Sequence, residues 1–172
     1  MANVVGGLDP RLQEVVDREA IRALLNRYFR GIDRGDAEMI ASCFHPDAVD
    51  ESRPSGRAGL EEWREIVALN RDRVTATCHH LTTHNIEVDG DVAGSEAYCL
   101  GTHLTADEPP RRMLTATRYL DRLQQRDGEW RIVHRKAVKQ MLGTISIDEA
   151  RTIGAESRRD RDDLSYATLA VG

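Results

Sequence analysis

The periodicity of this chain changes once, at Val74, and that change constrains the fold more than any other feature. Upstream, Leu12, Val15, Val16, Ile21, Leu24, Leu25, Tyr28 and Ile32 recur mostly three or four residues apart, one apolar face of a long helix. Downstream, β-branched residues and alternation dominate. Asp89-Gly90 and Asp127-Gly128 punctuate this half, and both are hairpin signals. Helices followed by an antiparallel meander predict an α+β architecture, with helices on one face of a curved, mainly antiparallel sheet.

The first helix has a start and a stop. Asp9 is a suitable N-cap and Pro10 a suitable first residue. Gly31 and Gly35 weaken the far end, where Asp33-Arg34-Gly35-Asp36 reads as a turn. Asp36 caps a short second helix with Ala37, Met39, Ile40 and Cys43 inward, and Phe44-His45-Pro46-Asp47 closes it. After a polar loop over 51–57, Leu60, Trp63, Ile66 and Val67 mark one side of a third helix. Four strands follow: from Val74 to the first Asp-Gly turn, then around Val92 to Leu104, then Met113 to Leu123 and Trp130 to Met141. On the second strand Val92, Gly94, Glu96, Tyr98, Leu100, Thr102 and Leu104 share a face. One domain spans 1–144. Residues 145–172, charged and poor in large apolar side chains, read as a tail, part helix and part mobile, lying over a pocket or a neighbouring subunit.

Composition narrows the function classes. With 172 residues, 40% of them hydrophobic, the chain can bury a core and enclose a pocket. A net charge of −5 argues against nucleic acid as a partner. No apolar run reaches the roughly 20 residues of a membrane span, and the N-terminus lacks a signal-peptide pattern. Cys43, Cys78 and Cys99 are odd in number and form no Cys-x-x-Cys pair, which suits reduced thiols in the cytoplasm. The open sheet edge and apolar sheet face predict a homo-oligomer.

The chemistry centres on acids and bases. There is no phosphate-binding glycine loop, nucleophile elbow or dinucleotide fingerprint. Asp33 ends the first helix; Tyr28 precedes it by five residues, roughly 140° around an ideal helix. His79 and His80 open a strand and point to opposite faces, so one of them faces a cavity. His80 and His84, four apart on a strand, stand roughly 13 Å apart, which rejects a zinc pair. His103 is placed to line the pocket opposite His79. Arg118 and Tyr119 alternate, so one faces inward, where an arginine would bind an oxygen of the substrate. A carboxylate that orients an imidazole, with a phenol nearby, is an acid–base set that needs neither a metal nor an organic cofactor.

Two further segments carry a family resemblance. Glu19-Ala20-Ile21-Arg22-Ala23-Leu24, followed by Arg27-Tyr28-Phe29-Arg30-Gly31-Ile32-Asp33, and the last-strand opening Gly128-Glu129-Trp130-Arg131-Ile132 resemble the SnoaL-like branch of the nuclear transport factor 2-like superfamily. The resemblance runs from Leu12 to Met141 and implies a cone-shaped α+β barrel with a ligand cavity between sheet and helices. Within the branch, the pattern is similar to that of cofactor-independent lyases: bile-acid 7α-dehydratase, scytalone dehydratase and hexachlorocyclohexane dehydrochlorinase. It assigns the catalytic aspartate to Asp33, the tyrosine to Tyr28 and the histidine to His79, or to His80 if the register shifts by one. The asparagine often found four residues after that histidine is replaced here by Thr83. The implied activity is a dehydratase acting on a small hydrophobic cyclic hydroxy-carbonyl compound. An isomerase or polyketide cyclase using the same dyad, and a non-catalytic ligand-binding module, are the alternatives.

Overall fold

The computed structural model describes residues 9–144 and 158–170. Helix α1 covers Pro10–Arg34, and the Asp9 carboxylate accepts the Arg11 backbone N–H at 2.8 Å. The helix ends at Gly35, whose φ of 62° is the left-handed conformation that glycine adopts without steric cost. Gly31 stays helical because α2 (Ala37–Ala41) packs onto it: a Cβ there would lie 2.7 Å from the Ile40 side chain. Strand β1 (Phe44–Asp50), helix α3 (Leu60–Arg71), strands β2 (Val74–Asp89), β3 (Val92–Thr105), β4 (Arg112–Arg126) and β5 (Glu129–Thr144), and the short helix α4 (Leu164–Leu169) are the other elements among the described residues. Among the described residues no helix is long and apolar enough to cross a membrane.

The five strands form one open sheet in the order β1-β5-β4-β3-β2. The meander is antiparallel, and β1 joins β5 in parallel. Strand β1 corrects the expectation that Phe44-His45-Pro46-Asp47 merely closes α2. Pro46 hides the strand from a sequence reading, yet proline is tolerated at a sheet edge, where β1 lies, and the pairing shifts register between Phe44 and Val49. The Asp127-Gly128 hairpin has both residues at positive φ, 54° and 79°, the twist that two-residue turns require.

The core lies between α1–α3 and the concave side of the sheet. Ile21, Leu25, Ile40, Trp63, Leu123 and Ile132 are almost free of solvent. The buried face of α1 starts later than its apolar pattern, because Leu12, Val15 and Val16 are exposed. Asp17 is buried instead and accepts the Trp130 indole N–H at 2.8 Å. On β3 the inward face is Ala93, Ser95, Ala97, Cys99 and Gly101, opposite to the Val92–Leu104 series, and these small side chains leave room for a cavity. Of the tail expected over 145–172, residues 145–157 lie outside the described residues, while 158–170 return to the C-terminal end of α1.

One charge pair is wholly buried in this core. Arg135 donates from Nε and Nη2 to the two oxygens of Asp121, at 2.7 and 2.6 Å, and both side chains are fully enclosed. Removing one member leaves an uncompensated charge out of water. Asp121→Asn should therefore cost about 3–5 kcal/mol of unfolding free energy. Urea denaturation checks this, and a loss below about 1 kcal/mol would contradict it.

Candidate active site

The end of α1 and the start of β2 meet through one side-chain pair. The Asp33 Oδ1 lies 2.7 Å from His79 Nδ1, and Asp33 Oδ2 accepts the His79 backbone N–H at 3.1 Å. The carboxylate thus grips both the ring and the strand that carries it. The aspartate reaches β2 because α1 remains regular until Arg34. Both side chains are largely enclosed, with 10% of His79 and 15% of Asp33 exposed. The Phe29 ring stacks on the imidazole at 5.7 Å, and His103 meets it edge-on at 5.3 Å. Gly101 pairs with His79 across the sheet; a Cβ there would lie 3.2 Å from the imidazole Cδ2 and 2.6 Å from the Thr115 hydroxyl. Glycine makes the space in which His79, His103 and Thr115 converge.

His79 opens onto a cavity of about 740 Å³ between sheet and helices, lined also by His103, Met113, Thr115, Tyr119 and Met141. A second, smaller chamber of about 230 Å³ shares His79, His103 and Tyr119 and adds Tyr28, Ile32 and Thr77. Tyr28 and His79 therefore face one space. Asp33 does not line either chamber. It occupies a separate cleft behind the imidazole, with Phe29, Arg30 and Leu81. The angle around α1 explains this: the helix keeps ideal geometry, so Tyr28 and Asp33 point to different sides, and His79 links them.

The remaining sequence-predicted residues divide by face. Tyr119 lines both chambers, whereas Arg118 points to the opposite face, paired with Glu96 at 3.0 Å. The expectation of Arg118 as a substrate contact is corrected, since successive side chains on β4 alternate. His80 is likewise on the outer face, its Nε2 3.4 Å from the Cys78 thiol, and lines neither chamber. His103 is held by hydroxyls, with Nδ1 3.0 Å from Thr77 Oγ1 and Nε2 3.4 Å from Thr115 Oγ1. A register shift between Leu81 and His84 turns His84 inward to Ser95, at 2.9 Å, so His80 and His84 point to opposite faces. Cys43 and Cys99 are buried, which pushes their thiols up to about 11 and about 12 and suits neither to nucleophilic work.

Sequence reasoning missed the cation beneath Tyr28. The Arg135 guanidinium lies 4.1 Å from the centre of the Tyr28 ring and 4.9 Å from that of Tyr119. The alternation of Trp130, Ile132 and His134 sends Arg135 outward, but a bulge between Ile132 and His134 reverses the phase of β5. Asp121 was visible in principle, in phase with inward-facing Tyr119 and Leu123 on β4. Burial raises both phenols, and Arg135 offsets part of this, so Tyr28 and Tyr119 carry their protons and can donate. Among the described residues no protein group hydrogen-bonds the Tyr28 hydroxyl.

Burial, reinforced by the neighbouring His79, holds the His103 imidazole below its ordinary value near 6.5. The unfolded chain then binds this proton more readily, so the contribution of His103 to stability falls as pH drops below that value. Ring-proton NMR should give His103 a midpoint below about 6.5, and His103→Gln should reduce the loss of urea resistance between about pH 7 and pH 5.5. A midpoint above that value would contradict the burial argument.

Known proteins share this arrangement of helices and sheet. The hexachlorocyclohexane dehydrochlorinase LinA type 2 aligns with a TM-score of 0.73 at 21% identity, over 83% of this chain and 98% of its own. A putative scytalone dehydratase from Novosphingobium aromaticivorans aligns with a TM-score of 0.68 at 22% identity, over 82% of this chain and 95% of its own. Rv2910c, an uncharacterized protein of Mycobacterium tuberculosis, is 27% identical over 131 residues, which are 73% of this chain and 87% of its own length. The family model of the SnoaL-like domain matches residues 13–136, most of α1 through β5. The chain belongs to the SnoaL-like domain family.

Proposed function

We propose that the protein is a cofactor-independent lyase, a dehydratase that acts on a small hydrophobic cyclic hydroxy-carbonyl compound. The observation that carries this reading is the 2.7 Å contact between Asp33 Oδ1 and His79 Nδ1 at the back of a cavity. A carboxylate at that nitrogen holds the Nδ1–H tautomer and leaves Nε2 as the base facing the chamber. His79 Nε2 removes a proton made acidic by the adjacent carbonyl. The electron pair becomes the new carbon–carbon double bond as the hydroxyl leaves. The proton on Nε2, or that of Tyr28, passes to the hydroxyl, and water departs. The Asp33 carboxylate stabilises the imidazolium in between.

Magnitudes assign the shares. General acid–base action of this kind contributes roughly 10²–10⁴-fold, and the rest must come from positioning within a water-poor cavity. The buried Arg135 beneath Tyr28 favours negative charge near the phenol, which makes its hydroxyl a better proton donor to the departing hydroxyl. An isomerase or polyketide cyclase would begin with the same proton abstraction. Elimination is preferred because the structural neighbours include a dehydrochlorinase and a putative dehydratase, both named for eliminations.

The test is product mass. Across a panel of cyclic β-hydroxy ketones the wild type should yield products lighter by one water, whereas isomerisation leaves mass unchanged. Asp33→Asn and His79→Ala should each lower turnover by roughly 10²–10⁴-fold while circular dichroism shows the fold retained. Full turnover in both variants would rule the dyad out.

A further inference from the structure

The C-terminal segment is anchored to the helix end that carries Asp33. Asp163, almost fully buried, accepts the Arg158 and Ser165 backbone N–H groups and pairs with Arg34 at 3.0 Å. Asp36 accepts the Tyr166 hydroxyl at 2.6 Å and pairs with Arg161 at 3.1 Å. The Arg30 guanidinium covers the Tyr166 ring at 4.6 Å. Between these anchors, Arg159 donates from Nη1 to the Val74 carbonyl at 2.5 Å, at the start of the strand that bears His79. Its side chain reaches the smaller chamber, which it lines with Tyr28, His79 and His103.

Arg159 stands out because nothing balances it. Most arginines near the site have a carboxylate: Arg135 has Asp121, Arg34 has Asp163 and Arg53 has Asp50. Among the described residues no carboxylate lies within 4.0 Å of the Arg159 guanidinium, and its buried Nε has no hydrogen-bond partner. Asp33, the acid that acts on it from a distance, is engaged with His79. A half-buried guanidinium with an unused N–H is costly unless a ligand supplies the missing charge. Its planar fork matches a carboxylate, and the chamber of about 230 Å³, whose other arginine, Arg53, is already paired with Asp50, is left with one unbalanced cation and suits a monoanion.

We propose that Arg159, delivered by the C-terminal segment, binds a carboxylate of the substrate in the smaller chamber beside His79. This rests on reading the cavity as a substrate site, and it narrows the substrate to an acid. The carboxylate accepts from Nη2 while the Val74 carbonyl fixes Nη1. The segment thereby completes a wall of the site and sets its charge specificity.

Benzoate and benzamide, alike in shape and different in charge, are the probes. Titrations of the full-length protein, followed by NMR of the His79 and His103 ring protons, give both affinities. Wild type should favour benzoate by about tenfold to a hundredfold, the range of a charge-assisted pair. Arg159→Gln should erase that preference while leaving benzamide affinity within about threefold, and Arg159→Lys should keep part of it. Arg126→Gln, which removes an exposed charge paired to Asp47, should change neither affinity. The proposal is overturned if wild type does not bind benzoate or binds both probes alike, or if Arg159→Gln keeps the preference. An equal weakening of both probes by Arg159→Gln would also overturn it, since that marks a structural role. Binding needs no turnover, so a protein that discriminates between the probes yet eliminates no water defeats the lyase reading alone.

Discussion

The grip of Asp33 on His79 is the contact around which the site is arranged. It ties the last turn of α1 to the first half of β2, residues 46 positions apart in sequence. Two oxygens of one carboxylate bond the ring and the backbone of one residue, so the imidazole is fixed in direction as well as in place. The helix end supports this geometry. Gly31 lets α2 pack against α1, and Gly35 reverses the chain one residue after Arg34. Phe29 covers the imidazole from the helix side, leaving the chamber side open.

A second charged element sets the electrostatics of the chamber floor. Arg135 and Asp121 form a bidentate pair with no exposed surface, and the cation lies under the faces of Tyr28 and Tyr119. Such a pair seldom stabilises a fold more than well-packed apolar residues would. Asp121 balances the charge of Arg135, and the guanidinium beneath the two phenols offsets only part of the effect of their burial. His79 and Tyr28 line one chamber, and Arg135 lies beneath the Tyr28 ring.

Much of this was legible in the sequence because local rules and tertiary packing agreed. The Asp9 cap, the long first helix, the change of period near Val74 and the two Asp-Gly hairpins follow from local patterning, although the helix runs on to Arg34, into the turn expected over 33–36. The family resemblance pointed to Asp33 but left His79 and His80 open, and the contact of Asp33 with the His79 ring decides between them. What escaped was displaced by register. Pro46 concealed edge strand β1, and the bulge before His134 turned Arg135 into the core although its neighbours suggest a surface strand. The choice between Arg118 and Tyr119 needed knowledge of which sheet face is concave, which alternation alone does not carry. Arg159 sits in a charged stretch that resembles solvated tail, and only the return of the chain to α1 reveals its place.

The proposed chemistry depends on the protonation pattern that Asp33 imposes on one ring. Nitrogen-15 NMR of histidine-labelled protein, at a pH where His79 is neutral, measures it directly. The prediction is a proton on Nδ1 and a bare Nε2, with the Nδ1–H signal displaced in Asp33→Asn. A neutral His79 protonated at Nε2 would mean that no base faces the chamber, and the proposed chemistry would be wrong.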